Sequence, residues 1–158
     1  MIAIEKAGED DTQAICTLDR MVLGRSERQD YIESAVRAGE CLVARDEGTL
    51  VGFAVVNQSF YGNGFIGLLF VHPDHRRRGV GTALVRRIES MCPTEKLFTS
   101  TNASNTPMQR LCCSLGFAVS GHIDNLDEGD PEVVFFKRVG GTVGEGVRTS
   151  TTSRRRQS

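Results

Sequence analysis

The sequence predicts an α+β fold: a mixed sheet of about seven strands, mostly antiparallel, flanked by about four helices. Three observations carry this. Short stretches of alternating or continuous apolar residues recur between Gly-rich turns, the pattern of strands. Four other stretches repeat apolar residues at spacings of three and four, the pattern of amphipathic helices. Their order is strand, two helices, three strands, helix, strand, helix, two strands, with hairpins first and one strand–helix–strand crossover in the middle. A doubly wound fold would alternate throughout.

IAIEKA at 2–7 alternates and reads as the first strand. Asp10 with Gln13 forms a capping-box pattern ahead of Ile15, Leu18 and Val22. Ser26 with Gln29 repeats it ahead of Ile32, Ala35 and Val36, and Gly39 closes that second helix. CLVAR, DEGT and LVGFAVVNQSF read as strand, turn and strand. YGNG makes the next turn, and the apolar run FIGLLFV at 65–71 predicts a central strand buried on both faces. From Gly79 to Met91 a helix carries Val80, Leu84, Ile88 and Met91 on one side, and Cys92-Pro93 ends it. KLFTST at 96–101 is the next strand. Thr106-Pro107 opens a helix with Met108, Leu111, Cys112 and Leu115 on one face, stopped by Gly116. FAVSGHID and EVVFFKRV are strands around the acidic loop NLDEGDP.

The 158 residues suit one domain, expected over 1–139. The Gly/Ser/Thr/Arg-rich stretch 140–158 reads as a disordered or appended tail. Four of the 19 basic residues fall in that tail against one of the 20 acidic ones, so the body is mildly acidic. Nucleic acid is not an expected partner of such a body, which also has few aromatics and no tryptophan. Five cysteines (16, 41, 92, 112 and 113) without CxxC or metal-ligand spacing point to free thiols, a reducing compartment and no metal. No apolar run approaches about 18 residues, so no membrane-spanning helix is expected and the reading is cytoplasmic.

The chemistry concentrates in HPDHRRRGVGTALV, residues 72–85. Three adjacent arginines repel one another unless an anion sits among them. A helix start adds unpaired N–H groups and partial positive charge, and glycines let a ligand approach the backbone. Together these make a site for a phosphate or pyrophosphate. The Walker pattern lacks its Lys-Ser/Thr pair, and the Rossmann pattern lacks its third glycine, because Leu84 stands there.

The strand ending in Val-His-Pro, then Arg76-x-x-Gly79-x-Gly81 opening a helix, resembles the acetyl-CoA-binding signature of the GNAT superfamily of N-acyltransferases. NTPMQRLCCSLGF at 105–117 resembles that family's second segment, an Asn before a helix ending in Leu-Gly-Phe. The resemblance implies a sheet splayed in the middle, between strands 65–71 and 96–101. It implies acetyl-CoA as cosubstrate, with the backbone of Leu69, Phe70 and Val71 pairing the pantetheine arm. Amides of Arg77, Arg78, Gly79, Val80, Gly81 and Thr82, backed by Arg76, would hold the pyrophosphate. Asn105 would bond to the pantetheine, Cys112 would lie near the sulfur, and the backbone amide of Leu69 would polarise the carbonyl.

Two family devices are absent. Gly67 stands where some members carry a basic Glu, and Cys112 where many carry a proton-donating Tyr. A thiol with an ordinary pKa of about 8.5 can protonate another thiolate, and it can equally fill a helix face as a small apolar residue. His122 and Asp124 are candidate bases, with solvated surface roles as the alternative. Asp124, Asp127 and Glu128 are candidate contacts for a cationic acceptor such as a polyamine, an amino sugar or a peptide amine. The expected activity is acetyl transfer from acetyl-CoA to a primary amine by direct attack in a ternary complex, with a small-molecule acceptor. The alternatives are a protein or peptide N-acetyltransferase and a non-catalytic acyl-CoA-binding module. The sequence leaves a homodimer open.

Overall fold

The computed structural model describes residues 1–24 and 28–140. The proposed tail therefore lies outside the described residues from position 141 onward, and so does the capping position Ser26. The strands are β1 (Ile2–Lys6), β2 (Cys41–Asp46), β3 (Thr49–Phe60), β4 (Asn63–Val71), β5 (Lys96–Asn102), β6 (Ala118–Ile123) and β7 (Glu132–Arg138). The helices are α1 (Thr12–Leu23), α2 (Gln29–Arg37), α3 (Val80–Met91) and α4 (Thr106–Ser114). The seven strands form one sheet in the order β1-β2-β3-β4-β5-β7-β6. Every neighbouring pair is antiparallel except β4 and β5, which the α3 crossover makes parallel.

Both faces of the sheet are packed, by different helices. On one face α3 and α4 bury Val80, Leu84, Val85, Ile88, Cys112 and Leu115 against Ala54, Ile66, Leu97 and Phe135. On the other, Ile15, Leu18, Ile32 and Val36 of α1 and α2 cover Val43, Phe53, Val55 and Leu68. A fully buried Leu or Ile such as Leu84 or Ile32 contributes about 1.5–3 kcal/mol as an upper estimate.

Three local expectations change. Asp10 does not open α1. Asp11 does the local work, its Oδ2 accepting the Gly8 N–H at 2.9 Å while its other oxygen accepts from the Arg45 guanidinium. On α3, Val85 joins the buried face and Met91, the last residue of the helix, is exposed. The strand expected to be buried on both faces is buried only at alternate positions Gly64, Ile66 and Leu68. Phe65, Gly67 and the end from Leu69 onward stay half-buried. Gly39, with φ +72°, follows α2 in the left-handed conformation expected of a helix stop.

Candidate functional site

The parallel pairing of β4 with β5 is short. It joins Gly64 with Leu97, Phe65 with Phe98 and Ile66 with Thr99, and then stops. At that last step the Thr99 hydroxyl, 2% exposed, donates to the Ile66 carbonyl at 3.0 Å. Beyond it β4 keeps only β3 and β5 keeps only β7, so the sheet opens as a wedge. The split coincides with a bulge. Val55 faces Leu68 and Val56 faces Ile66, leaving Gly67 as an extra residue on β4. The bulge reverses the strand's facing: Leu69 and Val71 pack towards α3, and Leu68 and Phe70 towards α1 and α2. The backbone of Leu69, Phe70 and Val71 thus faces the wedge without a neighbouring strand, as a strand-like ligand requires.

The wedge opens towards the start of α3. His72 ends β4, its Nδ1 accepting the Asp74 N–H at 3.1 Å, and a 3-10 turn over Pro73–His75 follows. His72 is a capping group there. Arg77 then takes φ +64° and Gly79 φ +80°, and Gly79 caps α3 without a side-chain bond. Left-handed residues in such a turn direct successive N–H groups into one concavity. Among the described residues the N–H groups of Gly79, Val80, Gly81 and Thr82 donate to no other group of the chain. Arg76, Arg77 and Arg78 are exposed, and among the described residues no carboxylate pairs with them. Gly81 has a packing reason as well: a Cβ there would lie 3.1 Å from Leu111 of α4. The two helices that frame the wedge therefore touch at Gly81.

Asn105 caps α4, its Oδ1 accepting from the Met108 N–H at 3.2 Å, which leaves the Nδ2 as its free donor among the described residues. Cys112 is 3% exposed and belongs to the α3–α4 core. Burial pushes its thiol up to about 11, and the neighbouring Cys113 adds to the shift. His122 and Asp124 pair with each other at 3.4 Å at the exposed edge strand β6, which β7 separates from β5. Asp127 accepts from Asn102 at 2.8 Å, and Asp130 accepts from the Ser104 N–H and hydroxyl at 2.9 and 2.6 Å. The acidic loop is thereby tied to the end of β5, with Glu128 exposed. Among the described residues, no three His, Cys, Asp or Glu side chains gather as a metal site. None of the described helices is long and apolar enough to cross a membrane.

One neighbour of the wedge has no counterpart in the sequence reading. The Tyr31 hydroxyl of α2 lies over the bulge, where a Cβ on Gly67 would stand 2.8 Å from it. Burial raises the Tyr31 pKa, with a further rise from Glu40, while Arg28 and the Asn57 side chain pull it down. The only sequence signal was its place next to the core residue Ile32, too weak to single it out.

A wedge leading to a concavity of amides flanked by cations suits an extended ligand with an anionic end. The sequence pattern of the Acetyltransferase (GNAT) family matches residues 11–117, well over half of the chain. The chain belongs to that family. Its fold superposes with a TM-score of 0.84 on a GNAT-family acetyltransferase from Bacillus cereus, 37% identical, covering 87% of this chain and 97% of that one. It also matches yncA from Salmonella typhimurium, solved with its cofactor acetyl-CoA, with a TM-score of 0.73 at 20% identity over 87% and 94% of the two chains. A mycothiol acetyltransferase of Kineococcus radiotolerans is 48% identical over 50 residues, which are 30% of this chain and 16% of that protein. The chain thus spans less than a fifth of that relative's length, while the fold agrees over nearly all of the described residues.

Proposed function

We propose that this acetyltransferase takes acetyl-CoA as cosubstrate and acetylates a primary amine of a small molecule by direct attack. The observation that carries the reading is the row of amides at Gly79–Thr82 beside Arg76, Arg77 and Arg78, all without a partner among the described residues, at the mouth of the β4–β5 wedge. A diphosphate satisfies those donors together. A single exposed helix-terminus contact is worth only about 0.3–1 kcal/mol, so the amides and guanidinium groups must act as a set. The Leu69–Val71 backbone and the Asn105 Nδ2 line the path that the pantetheine arm would follow.

Acetyl-CoA supplies the acetyl group as a thioester: the amine nitrogen bonds to the carbonyl carbon, the carbon–sulfur bond breaks with its electron pair leaving on the coenzyme A thiolate, and the amine proton passes to solvent. The chain's part is to position the reactants and exclude water. Amides at the bulge polarise the carbonyl, and the face of α1 and α2 beside Gly67 admits the amine. Among the described residues nothing beside the wedge resembles an activated nucleophile, so direct transfer is favoured over a covalent enzyme intermediate. Cys112 is shut into the core, which favours packing over proton donation.

Calorimetry with acetyl-CoA, together with thiol release on an amine panel, tests the reading. Joint replacement Arg76→Ala, Arg77→Ala and Arg78→Ala should weaken acetyl-CoA binding by about tenfold or more at low salt, and less at high salt. Wild-type protein that ignores acetyl-CoA would sink the reading. Binding without release on any amine would leave a non-catalytic acyl-CoA binder.

A further inference from the structure

We propose that the acceptor is a primary amine carrying an aromatic or branched apolar group. Phe65, Phe60 and Phe98 would hold that group, and the Tyr31 hydroxyl would hold the amine. The inference rests on the acetyl-transfer reading above and narrows its acceptor.

The geometry starts at Gly67. The Tyr31 oxygen stands over this residue at the point where β4 leaves β5, and no side chain of Gly67 fills the space beneath it. The Cε1 atom of Phe65 lies 3.9 Å from the same Cβ position, so a row of rings begins where the hydroxyl ends. Phe65 stacks on Phe60 with centroids 5.2 Å apart and planes at 17°. Phe60 meets Phe98 at 4.8 Å, and Phe98 meets Phe136 at 6.0 Å across the β5–β7 pair.

These four rings are half-buried, and neither core cluster includes them. They form an apolar lane across β3, β4, β5 and β7 on the face that α1 and α2 leave uncovered. The lane runs into the site where the thioester carbonyl must lie. An aromatic or branched group gains both area burial and ring–ring geometry there, which a short aliphatic amine cannot.

Tyr31 suits the amine end. Burial and Glu40 keep its phenol protonated at neutral pH, so it is no base. Its oxygen accepts an N–H bond from the neutral amine and leaves the nitrogen lone pair directed at the carbonyl carbon. Of the three carboxylates expected to attract a polyamine, two are engaged elsewhere, Asp127 with Asn102 and Asp124 with His122, and Glu128 is exposed on the loop beyond β6.

The experiment compares kcat/KM for phenethylamine, ethylamine and the dipeptide Phe-Gly, read by thiol release, in wild type, Phe98→Ala and Tyr31→Phe. Acetyl-CoA affinity is measured by calorimetry on the same preparations. Phenethylamine or Phe-Gly should exceed ethylamine by about 10- to 100-fold in wild type. The faster of the two aromatic amines tells whether the group arrives on a free amine or at a peptide terminus, and either result supports the inference. Phe98→Ala should remove most of the preference through KM. Tyr31→Phe should lower kcat for all three amines about tenfold, with acetyl-CoA affinity unchanged. If Phe98→Ala does not fold, Phe60→Leu tests the same lane. Equal rates for aromatic and short amines, a preference that survives loss of the ring, or acetyl-CoA binding with no turnover of any of the three overturns this inference and leaves the cosubstrate intact. Absence of acetyl-CoA binding overturns both.

Discussion

Cys112 shows how burial decides between a chemical and a packing role. A thiol held at about 11 by burial is a poor donor to a leaving thiolate, and the side chain lies among core residues such as Leu115 and Phe117. Cys112→Ala should therefore cost about 1–2 kcal/mol of stability and leave turnover within about twofold. A tenfold loss of turnover in a fully stable variant would restore the acid role. The same shift has a pH signature. Cys112 and Cys41, the latter pushed up to about 12 by burial with Asp11 and Cys16 adding, are both raised above the ordinary thiol range. The native state then keeps protons that the unfolded chain releases. The stabilisation is complete below about pH 9 and is lost as pH rises through 11 to 12. Melting temperature followed from pH 8 to 11 should fall less steeply in Cys112→Ala than in wild type, and identical slopes would refute the shift.

The β6–β7 loop, as an element, is fastened to its neighbours through two of its acids. Its acid-rich sequence predicted contact with a cationic acceptor, but Asp130 holds Ser104 just before α4, and Asp127 holds Asn102 at the end of β5. Asp130→Ala should lower stability by about 1–2 kcal/mol, since two hydrogen bonds lose their acceptor. It should also weaken acetyl-CoA binding, because Asn105 at the start of α4 loses its support. Joint Asp127→Asn and Glu128→Gln replacement should leave amine KM within about twofold, exposed carboxylates being screened. A clear rise in amine KM at low salt would return these residues to the substrate site. The strand before α3 and the arginine–glycine turn were legible because their signals are local: an apolar run, a like-charge cluster and glycines at a helix start. What charge composition cannot express is whether a carboxylate already has a partner.

At the scale of the whole molecule, the seven strands and four helices of the described residues could be read from periodicity, but the juxtapositions around the proposed acceptor site could not. Tyr31, Phe65 and Phe98 are brought together by the β4–β5 register and the bulge at Gly67, and no local pattern encodes either. The same register sets how the two parts of the sheet are joined. β1–β4 meet β5–β7 through three parallel residue pairs and the buried bond from Thr99 to the Ile66 carbonyl, so the wedge is hinged on little backbone pairing. Thr99→Val keeps the shape and removes that bond, which should cost about 1–3 kcal/mol because the carbonyl is left buried without its donor. A ligand lying between β4 and β5 bridges the two parts. At a hundredfold excess over Kd it adds about 2.7 kcal/mol, a rise of roughly 5–10 °C in Tm for a chain of this size. At one fixed acetyl-CoA concentration the rise should be smaller in Thr99→Val than in wild type, because a loosened hinge misplaces the Leu69–Val71 edge relative to the amides of α3. Equal rises from a lower starting Tm would mean that the bond supports the fold without setting the width of the wedge.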